Sequence, residues 1–220
     1  MTTLTGFRTR IAQVLLDTSN TIWPTNALDE ALRAALDDYT RAAPLLKETL
    51  LTLIADGREI ALDSLANLIT VTDVIWPYDA DVWPPAHVAF RLIWDDARPV
   101  LVINADDGAE PQAADDLRLY YTAPHTIQDL DSAGVTTLYP GHESDIIHGA
   151  AGYAAISRGA DLIEKHGGRS IDAPRIEAWG QRKLEAYSRR LLRLSPAFHR
   201  ASAPTYAPTA WTLDKWAGQS

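Results

Sequence analysis

"GHESDIIHGAAGYAAISRGADLIEKHGG", residues 141–168, decides how this chain is read. Its middle is crowded with small side chains: Gly149, Ala150, Ala151, Gly152, Ala154 and Ala155. Such residues at helical spacing let a second helix approach closely. The run therefore predicts a helix packed tightly against another, within the subunit or between subunits. Gly167-Gly168 supplies its stop signal. "GAAGYAA" is not a phosphate loop, because no strand precedes it as a dinucleotide fold requires.

Downstream, Asp172 is positioned to cap a long last helix, "APRIEAWGQRKLEAYSRRLLRLSP". Leu184, Tyr187, Leu191 and Leu194 alternate at spacings of three and four, a helix-packing seam. The end of this helix is basic. Arg189, Arg190, Arg193 and Arg200 stand as a candidate partner patch, open to nucleic acid, to an acidic protein surface or to solvent alone. The acidic total of the chain favours an acidic protein surface over nucleic acid.

Upstream, residues 3–17 read as a first helix with Leu4, Phe7, Ile11, Val14 and Leu15 on one face. Arg8, Arg10 and Asp17 are expected to face water. A second helix follows in "NTIWPTNALDEALRAALDDYTRAAP". Thr25 or Asn26 is its expected cap, and Asp29 and Glu30 suit its positive end. Leu28, Leu32, Ala35, Leu36 and Tyr39 form its apolar stripe, and Pro44 stops it.

Between the helices, residues 47–123 change character. "LLTLIADGREIALD" predicts a hairpin turning at Asp56-Gly57. "LITVTDVIW", "HVAFRLIWDD", "RPVLVINAD" and "DLRLYYTA" are rich in β-formers. Phe90, Leu92 and Trp94 alternate with Arg91, as in a half-buried strand. "VWPPAH" and "DDGAEPQAADD" are loops by their Pro, Gly and Asp content. The fold class is α+β, mainly α: a helical bundle with an inserted antiparallel β-module and an extended C-terminal arm. The helical domain takes residues 1–44 and 142–200, the module 45–141 and the arm 201–220. No solenoid-period repeat or low-complexity block is present.

The 220 residues are 46% hydrophobic, enough for a substantial core. The absence of cysteine excludes disulfides and thiolate metal sites. No apolar run nears the roughly 18 residues that span a bilayer, and "MTTLTGFRTR" lacks the apolar region of a signal peptide. The expectation is a soluble protein made in the cytoplasm, without a membrane partner. A net charge of −9 and a pI near 5.0 argue against gripping nucleic acid.

"GHESDIIH" is the most enzyme-like stretch. Its histidines, His142 and His148, are six apart and point away from each other on a helix. Only Asp145 and His148 share a face, and no third ligand accompanies them. The simpler reading makes Glu143 or Ser144 a helix cap and the histidines surface groups. In "YYTAPHT", Thr122 and Thr126 flank His125, but adjacency in sequence is no triad. No metal, cofactor or catalytic residue is assigned. A metal-dependent hydrolase using His142, Glu143 and His148 remains an alternative. So does a sugar-binding module built on Trp76, Trp83 and Trp94, although core and subunit contacts explain those tryptophans more simply.

The chain closes on "APTYAPTAWTLDKWAGQS", residues 203–220, which has aromatic residues but no helical period. Disordered tails are usually poor in aromatics. This segment looks designed for burial, on a partner or folded back on its own subunit.

The order of these features resembles the head-to-tail adaptor (connector) proteins of tailed bacteriophages. The resemblance rests on "IWPTNALDEALRAALDDYTRAAP", on "DGREIALD" and on "LRLYYTAPHTIQDLDSAGVTTLYPGHESDIIHGAAGYAA" before a long helix, and covers residues 20–200. It implies a structural virion protein with no enzymatic activity and no cofactor. It also implies a homo-oligomeric ring, commonly of about twelve copies, beneath the portal protein. Such a ring extends the DNA channel, lets DNA pass without specific binding and presents a surface to a downstream neck or tail protein. The particle's head-tail interface is the implied location, with synthesis in the bacterial host cytoplasm. Tyr206, Trp211, Leu213, Lys215 and Trp216 are then a portal-binding arm. Acids such as Asp106, Asp107 or Asp115-Asp116 are expected to border the lumen. Another neck or tail role, tail terminator or tube component, is the nearest alternative.

Overall fold

The computed structural model describes residues 2–105, 108–166 and 172–202, with side chains undescribed at 166 and 195–202. Its elements run α1 (Leu4–Val14), α2 (Thr25–Ala42), β1 (Leu45–Thr52), β2 (Glu59–Ala61), β3 (Thr70–Ile75), β4 (Ala89–Asp95), β5 (Arg98–Asn104), β6 (Asp116–Ala123), α3 (Glu143–His166) and α4 (Ala173–Ser202). Four helices and two small antiparallel sheets make an α+β fold, mainly α. Two compact units result. One holds 1–45 and 123–198; the other holds 46–122.

The helical unit is organised on α3. Phe7 and Ile11 of α1, Leu28, Leu32, Ala35 and Tyr39 of α2, and Ile146, Ala150, Ala151 and Ala154 of α3 share one core. The stripe expected on α2 is buried throughout. Tyr187 and Leu191 of α4 join the same core, with Leu184 and Leu194 at its margin. Fully burying a large apolar side chain contributes roughly 1.5–3 kcal/mol, so this face is the main stabilising surface of the unit. The passage 123–141 lies with the helices: Ile127, Leu130 and Leu138 are buried in their core.

The small residues of α3 meet α4 within the subunit. A Cβ at Gly149 would stand 2.7 Å from the Tyr187 ring. One at Gly152 would stand 2.9 Å from a Leu184 methyl and 3.1 Å from the Gly180 carbonyl. Gly180 answers from α4, its hypothetical Cβ 2.8 Å from the Gly152 carbonyl oxygen. The helix also runs past Pro196 to Ser202, so the arm expected from 201 has its first two residues in α4. Residues 203–220, with every arm residue, lie outside the described residues, as do Gly167-Gly168 and Asp106-Asp107.

The β-unit departs from the expected hairpin. The strand orders are β1-β6-β3 and β2-β5-β4, so β1 and β2 belong to different sheets. Asp56-Gly57 is a passage between sheets. Gly57 has φ +129, its N–H donates to the Pro111 carbonyl, and the Asp56 carboxylate accepts from Ala113 N–H. The turn chemistry was legible, but the partners of both strands come from far along the chain. Strand β6 alternates as a half-buried strand should, with Leu117, Leu119 and Tyr121 inward. On β4, Phe90 and Leu92 are half-buried, but Trp94 is 56% exposed, contrary to its expected place in the buried face. It sits beside the two-residue Asp96-Ala97 turn, both at positive φ, where the β4–β5 ladder ends.

Two local readings of the helices also change. The N-cap of α2 is Pro24, in extended conformation, and no side chain caps the helix. The Pro24 carbonyl takes the first N–H groups, from Ala27 and Leu28. Proline fixes the entry angle that a capping side chain would otherwise set. Asp29 and Glu30 instead pair with Arg8 and Arg33.

The α3–α4 approach yields a test. Alanine is favoured over glycine in a helix interior by roughly 1 kcal/mol. At Gly180 the added methyl would push on the facing backbone, an overpacking cost of about 1–3 kcal/mol. Gly180→Ala is therefore expected to lower the urea midpoint. A raised midpoint would mean that the helices are not in this contact.

Candidate functional site

Side chains singled out from sequence include groups at the α1–α2 junction, at the start of α3, on the outer face of α4 and, with His125, in the passage between β6 and α3. Helix α1 closes with Leu16 at φ 56, its N–H donating to the Gln13 carbonyl and the Asp17 N–H to that of Ala12. This is a Schellman closure made without glycine. It turns Asp17 inward, against the expectation that it faces water: Asp17 is buried. Its carboxylate accepts from the N–H groups of Thr21, Ile22 and Trp23 at 3.1, 2.8 and 2.9 Å, and from the Thr21 hydroxyl at 3.0 Å. Trp23 then donates its indole N–H to the Ala154 carbonyl on α3, 3.2 Å away. Backbone donation, that of Trp23 foremost, lowers the Asp17 pKa from 3.8 to about 2.

Arg8 and Arg10 are likewise engaged. Arg8 grips Asp29 with two hydrogen bonds of 2.7 and 2.6 Å, and Arg10 meets Glu143 at 2.9 Å. Glu143 is buried and also accepts from the Thr2 hydroxyl, so it ties α1 to the start of α3. The histidines of "GHESDIIH" are half-buried, against the expected surface placement. His142 Nδ1 lies 2.6 Å from the Tyr39 hydroxyl, in a ring cluster with Tyr139. His148 Nδ1 is buried without a hydrogen-bond partner among the described residues. Burial lowers its pKa, and the nearby cations Lys183 and Arg190 add to the effect. Asp145 pairs with Arg190. His142, Glu143 and Asp145 thus face three different partners, and no group of three metal-ligating side chains gathers among the described residues.

His125 is held between backbone and side chain. Its Nε2–H donates to the Ala43 carbonyl at the end of α2, 2.9 Å away, and Nδ1 faces the Thr137 hydroxyl at 3.2 Å. The ring lies against Tyr39, centroids 4.9 Å apart. Burial lowers the pKa of His125. Burial also raises those of Tyr39 and Tyr153, each to about 12, and pushes Tyr187 higher still. Tyr187 donates to the Ala35 carbonyl at 2.6 Å and Tyr153 to Asp38. These hydroxyls are structural ties between helices.

The basic patch on α4 divides. Arg190 is engaged with Asp145, whereas Arg189 and Arg193 are exposed and hold no ion pair among the described residues. The Arg200 side chain lies outside the described residues. In the β-unit, a groove of about 780 Å³ opens beside β1 and β3, lined by Leu50, Tyr78 and Val82 with Asp79, Asp115 and Asp116. The charge distribution completes the picture. Residues 46–122 carry five basic and fourteen acidic residues; the rest of the chain has fifteen of each. The whole acidic excess therefore lies in the β-unit. This asymmetry was readable by counting within the domain boundaries.

Compared with known proteins, the chain matches no family model, and no curated protein matches it. Solved structures similar to it include a chain from the neck of an empty GTA particle, computed with C6 symmetry. That match has 24% identity and a TM-score of 0.28, over 59% of this chain and 66% of that one. Another is from the neck of a native GTA particle, computed with C12 symmetry. It has 22% identity and a TM-score of 0.28, over 80% of this chain and 89% of that one.

The pH dependence of the Asp17 turn follows from its sign. A lowered carboxylate pKa stabilises the fold in full above the unfolded value of 3.8, and that contribution fades as pH falls through about 2. Asp17→Asn is expected to melt at lower temperature than wild type near neutral pH. The gap should close as pH drops from about 4 toward about 2. A gap that stays constant across that range would show that the charge plays no part.

Proposed function

We propose that this chain is a structural protein of a phage-like particle's neck, an adaptor that forms a ring under the portal, extends the DNA channel and docks the tail. The observation that carries this reading is the order of elements: a helix pair, a six-stranded insertion, a helix of small residues, then a long last helix. It is the order that the resemblance over residues 20–200 implies. Most of the side chains that looked enzyme-like support assembly rather than catalysis: His142, Glu143, Asp145 and His125 are engaged with Tyr39, Thr2 and Arg10, Arg190 and the Ala43 carbonyl. The acidic β-unit suits a channel wall, since it repels phosphate and lets DNA slide.

Within this reading, residues 203–220 are the arm that reaches the portal, with Tyr206, Trp211, Leu213, Lys215 and Trp216 as anchors. Pro204 and Pro208 restrict the free segment and lower its ordering cost. Tryptophans in such contacts commonly dominate the binding energy.

Two measurements test the proposal. An antibody to residues 45–123, followed by immunogold electron microscopy of purified particles, should label the single head-to-tail vertex. Label along the tail would make the chain a tail component instead, and no label on any particle would remove the virion role. Separately, Trp211→Ala combined with Trp216→Ala should reduce retention on the portal protein by at least about tenfold. Undiminished retention would sink the arm.

A further inference from the structure

We infer that copies of this chain bind one another head to tail, the outer face of α4 of one copy seating in the acidic groove of the β-unit of the next. This rests on the ring reading above and names the surfaces that make the ring. Arg189, Leu192 and Arg193 lie at i, i+3 and i+4, so they share one face of α4. Leu192 is 71% exposed, an apolar side chain between two cations. The groove has the opposite character in the same arrangement. Leu50 and Val82, both more than half exposed, offer apolar surface, and Asp79, Asp115 and Asp116 rim it.

The acids of the groove hold no cation among the described residues. The carboxylate of Asp115 accepts from the Trp76 indole N–H and the Gln112 backbone N–H, and that of Asp116 from the Thr52 hydroxyl. Each is fixed in place by neutral donors and keeps its charge for a partner. Helix α4 carries seven basic residues against two acidic ones, and the β-unit holds the whole acidic excess. Two different surfaces, each incomplete and complementary to the other, define a heterologous contact. Repeated through identical copies, such a contact closes into a ring or runs on as a filament. Opposed charge also fixes register and disfavours groove-to-groove and helix-to-helix pairing. On this assignment, Asp115 and Asp116 serve the subunit contact and not the lumen.

The chain has no cysteine, so introduced thiols report one contact without background. Val82→Cys and Leu192→Cys are both exposed positions, and native circular dichroism would confirm that the variants fold. Treated with a short bis-maleimide at high protein concentration, the double variant should give a ladder of covalent oligomers. Each single variant should give none, and a mixture of the two singles should stop at a dimer. Adding Arg189→Asp and Arg193→Asp should cut the cross-linked fraction at least about tenfold, as should about 1 M salt, where screening reaches roughly 3 Å. A double variant that stays monomeric, both free and within particles, overturns the contact. Cross-linking of position 82 to Leu213→Cys in place of Leu192→Cys also overturns it, in favour of the C-terminal segment. A ladder without vertex labelling would refute the neck role and leave the contact standing; vertex labelling without a ladder would do the reverse.

Discussion

The helical unit depends on two backbones being allowed to touch. At Gly152 and Gly180 neither α3 nor α4 has a side chain, and the Gly180 and Gly152 carbonyl oxygens lie 3.1 and 2.8 Å from where the other residue's Cβ would be. Close approach at Gly149, Gly152 and Gly159 brings this stretch of α3 within dispersion range of Ala173–Tyr187 on α4, where many small contacts add up. It also places the Tyr187 ring over Gly149 and its hydroxyl on the Ala35 carbonyl of α2. One crossing thus fixes three helices. A larger residue at either glycine would separate α3 from α4 and withdraw Tyr187 from the core it completes.

Polar ties then fix the chain reversals that this packing requires. Asp17 gathers three backbone N–H groups of the α1–α2 connection, which would otherwise be left unpaired near the core. His125 supplies a donor to the last carbonyl region of α2, at Ala43, where the helix has no further N–H to offer. Glu143 joins Thr2 and Arg10 to the first turn of α3. In each case a group with an enzyme-like identity satisfies backbone or ion-pair demands at a helix end. A buried polar group left unpaired costs about 1–3 kcal/mol, which is reason enough for these residues to be where they are.

What the sequence made legible divides along the same line. Helical period exposes the stripe of α2, the seam of α4 and the small face of α3, because those patterns repeat locally and burial follows them. Local pattern could not show that β1 and β2 part company, since strand pairing is set by β6 and β5, dozens of residues away. Nor could it show Asp17 turning inward. That depends on Leu16 adopting a left-handed conformation, which a branched apolar residue gives no sign of doing. The last helix, quoted only as far as Pro196, continues through it to Ser202. The candidate contact surfaces were half visible. The arginines of α4 could be named, but their apolar companion Leu192 and the groove lined by Leu50 and Val82 emerge only when distant segments are brought together.

Charge finally separates what the two units are suited to do. The helical unit pairs many of its ions internally, among them Arg8–Asp29, Arg10–Glu143, Arg33–Asp131 and Arg190–Asp145. These pairs neutralise the cations they hold, whereas Arg189 and Arg193 are exposed and hold no ion pair among the described residues. In the β-unit the only ion pair among the described residues is that of His87 with Asp73. Its other acids hold no ion pair among the described residues. A surface of that kind is poorly suited to grip nucleic acid and well suited to meet a cationic helix. On the proposed neck role, DNA passage and oriented self-recognition would both fall to the acidic unit, with the answering cations on the helical unit.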